Sequence, residues 1–172
     1  MIILGIDPGM ADTGWAVVES LPGARSRLLG CGVIRTEPPA ALPERLARIH
    51  AGVAALLQEH RPEQMAVEEM FFLKAAHTVR ATLQARGVIL LAAAQCGVSV
   101  SEYNPRQVKL ALTGSGSAEK PQMQRMVMSA LGLAEIPRPD DAADAAALAL
   151  CHLRSMKGKG MRVLERIGKG GG

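Results

Sequence analysis

Five aspartates occur in the 172 residues, and all fall in two short stretches: Asp7 with Asp12, and Asp140, Asp141 with Asp144. Asp7 ends the apolar run of "ILGIDPG", and Glu68 and Glu69 end another in "QMAVEEM". Carboxylates delivered by three separate segments offer oxygen donors, which suit a hard divalent cation such as Mg²⁺ or Mn²⁺. The chemistry open to such a set is phosphodiester hydrolysis by two ions about 3.5–4 Å apart, one activating a water and the other stabilising the leaving oxygen.

Each position also has an ordinary use. Asp141 and Asp144, three apart on a helix, share a face that Asp140 does not. Asp140 and Asp141, just after "PRP", could instead cap that helix and complement its dipole. Glu68 and Glu69 alternate across a strand, so only one can face a site. Gly5, Pro8 and Gly9 around Asp7 suit a plain turn. If Asp7 binds metal, Gly5 and Gly9 are expected to let a phosphate backbone approach.

The elements that must position these acids follow from periodicity and turn residues. Segments 2–7, 14–20 and 28–36 read as strands joined closely enough to form an antiparallel meander. Pro43 opens a helix to about His60, followed by a strand at 64–70, a helix at about 75–95 and a strand at 98–103. Short helices are expected from Pro105, over about 119–131 and over 140–154. This order predicts an α/β domain with a mixed five-stranded sheet flanked by helices. Right-handed crossovers place strand one at the centre, with Asp7 beside Glu68 or Glu69.

Residues 1–155 are expected to form one domain, since 48% of the chain is hydrophobic. Residues 156–172 are expected to be a flexible basic tail: from Arg154 to Lys169 there are six basic residues and one acid among glycines. The net charge of +4 favours a polyanionic partner. Cys31, Cys96 and Cys151 lie far apart, which argues against disulfides and fits a reducing cytoplasm. No signal-type segment or apolar run of about 20 residues is present, so a soluble protein is expected. Of only four aromatics, Phe71 and Phe72 are adjacent and just beyond the second acidic strand. They serve either core packing or stacking on unpaired bases. Lys74, Arg80, Lys109 and Lys120 are candidate phosphate contacts.

Taken in order, "ILGIDPG", "TGWAVV", "AVEEMFF", "QARG", "RQVK", "GSGSAEK" and "DAADAAALAL" closely resemble the RuvC family of Holliday junction resolvases over residues 2–152. The resemblance implies a ribonuclease H-like fold, a homodimer, two Mg²⁺ ions per site and symmetric nicking of four-way DNA junctions. It assigns metal binding to Asp7, Glu68, Asp141 and Asp144, junction opening to Phe71, and basic roles near the site to Lys109 and Lys120. It also implies a RuvA–RuvB branch-migration partner, and a dimer interface along the helix containing Gly87 and the small residues 92–94. Packing on the chain's own sheet would equally explain Gly87. Ala75 and Leu83 depart from the Asn and Gly usual in the family. Competing readings are a YqgF-type RNA-processing nuclease, an actin-like ATP-binding module, and a junction-binding protein without nuclease activity.

Overall fold

Side-chain alternation along the first strand sets the layering of the molecule. The computed structural model describes residues 1–69, 76–156 and 163–164. In β1 (Ile2–Asp7) Leu4 and Ile6 enter one core while Ile3 enters another on the opposite sheet face. β2 (Asp12–Ser20) and β3 (Ser26–Arg35) complete the antiparallel meander. Here Val17 faces the first core, and Ala16 and Val18 the second. An apolar residue at nearly every position is what a strand buried on both faces requires.

Two crossovers extend the sheet on the far side of β1. α1 (Leu42–His60) leads to β4 (Gln64–Glu68), and α2 (Ala76–Gln95) leads to β5 (Ser99–Tyr103); β1, β4 and β5 run parallel. α1 and α2 cover one face through Ile49, Val53, Leu57, Ala85 and Ile89. The other face is covered by α3 (Pro105–Thr113), α4 (Lys120–Leu131) and α5 (Asp140–Ser155). The expected five-stranded mixed sheet is present in the order β3-β2-β1-β4-β5. Outside it, Val163–Leu164 forms a two-residue β6 antiparallel to β5, giving that edge a partner. This strand was not foreseen, because two apolar residues in a basic glycine-rich stretch carry no periodic signal.

Small residues set how closely the layers approach. α5 crosses the sheet so tightly that a Cβ on Gly5 would lie 2.0 Å from the Ala145 carbonyl oxygen, and one on Gly14 would lie 2.1 Å from that of Asp141. Gly5 therefore makes room for α5, correcting the expectation that it admits a phosphate backbone. Gly9 is likewise occupied by its own turn, since a Cβ there would meet the Asp12 carbonyl oxygen at 2.1 Å. On α2 the outcome is reversed. A Cβ on Gly87 would meet nothing within 4 Å, so packing on the chain's own sheet does not explain this glycine. Ala92 and Ala93 are fully buried inside the chain, leaving only Ala94 of that trio exposed for an intermolecular approach.

No helix among the described residues is long and apolar enough to cross a membrane.

Candidate active site

The acidic residues converge because three elements end or cross at one edge of β1. Ile6 pairs with Val67 in the parallel β1–β4 ladder, so Asp7 and Glu68 follow on adjoining strands. Alternation turns both toward the α5 layer, the side taken by Ile3 on β1 and Ala66 on β4. Glu69 falls on the opposite phase, and its backbone N–H donates to the Tyr103 carbonyl at 2.8 Å. The doublet is thereby separated: Glu68 faces the α5 side and Glu69 does not.

α5 supplies the other two acids. Gly14 is the register partner of Asp7, and the Asp141 Cβ lies 2.8 Å from where a Gly14 Cβ would stand. Asp141 thus abuts the strand pair that carries Asp7. One turn further on, Asp144 lines a cavity of about 280 Å³ together with Glu68, Lys109 and Lys120. Lys120 Nζ is 3.6 Å from Asp144 Oδ2 and 2.9 Å from Asp140 Oδ2. Asp140 is thus held by the lysine, as a neighbour of the acidic face. Among the described residues no three His, Cys, Asp or Glu side chains stand together as a preformed metal cage. The ammonium of Lys120 supplies positive charge between two of the acids.

Burial of the Asp144 carboxyl raises its pKa above the ordinary aspartate value; Asp140 and Asp141 add to the rise, and Lys120 opposes it. Lys120 is shifted upward, chiefly by its hydrogen bond to Asp140. A carboxyl whose folded pKa is raised contributes stability below its ordinary pKa and loses it as pH rises through the folded value. At neutral pH the charged Asp144 therefore destabilises the metal-free fold. Asp144→Asn is expected to raise Tm in chelator at pH 7, with the difference shrinking as pH falls through the raised folded value and gone below the ordinary aspartate pKa. Calorimetric melts across pH check this, and an unchanged or lower Tm at pH 7 would count against it.

The supporting shell is specific. Asn104 Oδ1 accepts the Gln107 N–H at 2.9 Å, and Gln107 Oε1 accepts the Asn104 N–H at 2.9 Å, a reciprocal cap that fixes the start of α3 and hence Lys109. Lys120 begins α4, where the helix dipole disfavours a cation, and its acidic partners offset that. The turn after Asp7 is tied down by Arg45. Its Nη2 donates to the carbonyls of Met10 at 3.2 Å and Thr36 at 3.1 Å, and its Nε to Thr36 Oγ1 at 3.0 Å. Behind the site, buried His152 hydrogen-bonds Tyr103 Oη at 2.9 Å and Gln64 Oε1 at 2.6 Å, joining α5 to β4 and β5. Burial lowers the His152 pKa to about 4, so this link is uncharged at neutral pH.

Sequence reading missed Arg45, His152 and the partnership of Asp140 with Lys120. The one available signal was a histidine inside the apolar run "ALALCHL". Of the expected nucleic-acid contacts, Lys109 and Lys120 meet the acids at the cavity. Arg80 is exposed on α2 and does not line it. Phe71, Phe72 and Lys74 lie outside the described residues.

Residues 3–152 match the family described as crossover junction endodeoxyribonuclease RuvC. The protein of that description from Moorella thermoacetica is 53% identical over 152 residues, which cover 88% of this chain and 90% of its own. That from Salinispora arenicola is 45% identical over 174 residues, covering 100% of this chain and 99% of its own. The structure of Thermus thermophilus RuvC in complex with Holliday junction substrate is similar with a TM-score of 0.91 at 41% identity, over 95% of this chain and 99% of that one. The shared architecture is the ribonuclease H-like α/β fold, and the matched span takes in nearly all of β1 to β5 and α1 to α5. The chain belongs to the RuvC family of crossover junction endodeoxyribonucleases.

Proposed function

We propose that this protein resolves four-way DNA junctions as a metal-dependent endodeoxyribonuclease, cutting two strands of like polarity with water as the nucleophile. The observation that carries the reading is the convergence of acids from β1, β4 and α5, with Lys109 and Lys120 at the cavity that Glu68 and Asp144 line. Asp7, Glu68, Asp141 and Asp144 are the residues that would hold the metal, and their all-oxygen donor set fits Mg²⁺, with Mn²⁺ as a substitute. A divalent ion bound there, two per site in this reading, supplies Lewis acidity to the phosphate and lowers the pKa of the attacking water.

The chain's own contributions are charge and position. Lys109 and Lys120 bind phosphodiester oxygens and orient the backbone across the acids. Close backbone packing of α5 on Gly5 of β1 and Gly14 of β2 fixes the backbone positions from which Asp7, Asp141 and Asp144 project. Phe71 is proposed to open the junction centre, Phe72 to stack on an unpaired base, and Lys74 and Arg80 to contact phosphates.

Two sites acting on two strands call for a C₂ homodimer. Supporting it, α2 exposes Leu83, Gly87 and Leu91 one turn apart, an apolar stripe left open among the described residues. Leu91→Glu is expected to convert the dimer to monomer in analytical ultracentrifugation with the monomer fold intact by circular dichroism. A dimer that persists in this variant would move the interface elsewhere. We place the protein in the cytoplasm, where its three free cysteines stay reduced. A RuvA–RuvB branch-migration complex is its proposed partner, on the family resemblance.

The deciding experiment incubates the protein with a synthetic four-way junction and a linear duplex of the same sequence, in Mg²⁺ and in chelator. Paired nicks confined to the junction in Mg²⁺ are expected. Binding without cleavage across several metals and sequences would favour a junction-binding scaffold.

A further inference from the structure

The segment "QARG" carries a charged residue that the site described above does not use. Arg86 stands on the sheet-facing side of α2, at helical spacing from Thr82 and Ile89, both buried. Its Nη2 lies 2.5 Å from Glu102 Oε1 on β5, and the two side chains are only 16% and 20% exposed. Glu102 is the register partner of Val67, whose side chain enters the core under α1 and α2, so the glutamate reaches α2 from the sheet. Among the described residues Arg86 Nε is buried with no hydrogen-bond acceptor. Such a pair is a poor choice for stability. Apolar side chains of similar size would serve as well or better, and an unmet N–H carries its full desolvation cost.

The place of the pair in the fold gives it another use. Just beyond Glu102, the end of β5 is where the elements of the site are joined. The Tyr103 carbonyl accepts the N–H of Glu69, next to Glu68, and Tyr103 Oη hydrogen-bonds His152 of α5. Asn104 then caps α3, which carries Lys109. These contacts tie the end of β5 to β4, α5 and α3. The Arg86–Glu102 pair ties it to α2, on the opposite face of the sheet. We propose that Arg86 and Glu102 are a positioning pair for cleavage: by fixing the end of β5 against α2 they set where α3 starts, and with it the reach of Lys109 to the cut strand. Both act through Lys109 and touch no reacting atom. The proposal rests on the endonuclease reading above and extends its machinery to the far face of the sheet.

The double variant Arg86→Met with Glu102→Leu removes both charges together and keeps a similar volume. It is expected to melt no lower than wild type and to bind junctions within a few-fold, yet to cut about tenfold more slowly in single turnover at saturating enzyme. A pair that served stability alone would slow cutting only where Tm falls. The path through Lys109 is read in a Lys109→Ala background, where adding the double change should slow cutting no further. Wild-type cutting by the double variant, or full additivity with Lys109→Ala, would overturn the inference and leave the nuclease reading intact. Should the double variant melt below wild type, Arg86→Lys and Glu102→Gln decide, since each keeps a hydrogen bond across the contact while losing the fork or the charge. A lower saturating rate at wild-type Tm supports the pair, and an unchanged rate overturns it. Wild type that nicks no junction would overturn the inference together with the reading beneath it.

Discussion

Asp7→Asn is expected to abolish nicking of four-way junctions, by roughly 10³-fold or more in single-turnover rate, while junction affinity changes only a few-fold. Asparagine keeps the size of the side chain and one oxygen but removes the charge. Asp7 ends the central strand, flanked by Gly14 of β2 on one side and leading alongside Glu68 of β4 on the other. Of the proposed four, Asp7 lies between the strand that Asp141 abuts and the strand that carries Glu68. Loss of its charge weakens the hold on metal at the point where the phosphate must be activated. DNA affinity is set mainly by cationic groups, so it survives. Gel-shift and cleavage measurements on the same preparation separate the two. An Asp7→Asn enzyme that cuts at the normal rate would remove Asp7 from the chemistry.

The second large effect is structural. Gly14→Ala is expected to cost about 3 kcal/mol or more of stability and to lower nicking steeply, because the new methyl collides with backbone that cannot rotate away. At Gly14 the obstacles are the Asp141 carbonyl oxygen at 2.1 Å and its carbonyl carbon at 2.4 Å. Accommodation requires α5 to shift, and a shift there carries Asp141 and Asp144 away from the strand ends. Denaturant titration measures the first effect and a junction assay the second. Gly87→Ala is the natural control in the monomer, since a Cβ there meets open space. A Gly14→Ala protein with wild-type stability would mean that α5 does not rest on this strand.

These two residues also show what the sequence can and cannot say. The strands and helices are readable because apolar positions repeat with the period of each element, and because Pro and Gly punctuate them. The central place of β1 follows from short antiparallel connections on one side and helical crossovers on the other. Asp7 beside Glu68 is a consequence of that order. The role of Gly5 is not readable in the same way. A missing Cβ makes room, but only the packed structure reveals that the room is taken by Ala145 of α5 rather than by DNA. The Lys120–Asp140 pair is equally silent, since its members start two different helices, α4 and α5, and neither element predicts the other's direction. His152 is recognisable as unusual in an apolar run, but its partners Tyr103 and Gln64 come from strands distant in the chain. Local patterns specify elements; which side chains meet across them depends on packing that no local pattern encodes.

The laying of α5 across β1 and β2 has a consequence for the protein's life before it is finished. The acids come from opposite ends of the fold, and Asp144 is synthesised 137 positions after Asp7. At ribosomal speeds this interval is on the order of ten seconds, during which the meander and both crossovers can form but the acidic set cannot. An unfinished or prematurely terminated chain lacking residues 140–155 therefore holds half of the acids and none of the helix that closes over Gly5 and Gly14. If the four acids act as proposed, cutting competence arrives only with α5. On that assignment, a translation fragment that ends before α5 is expected to be inert toward DNA.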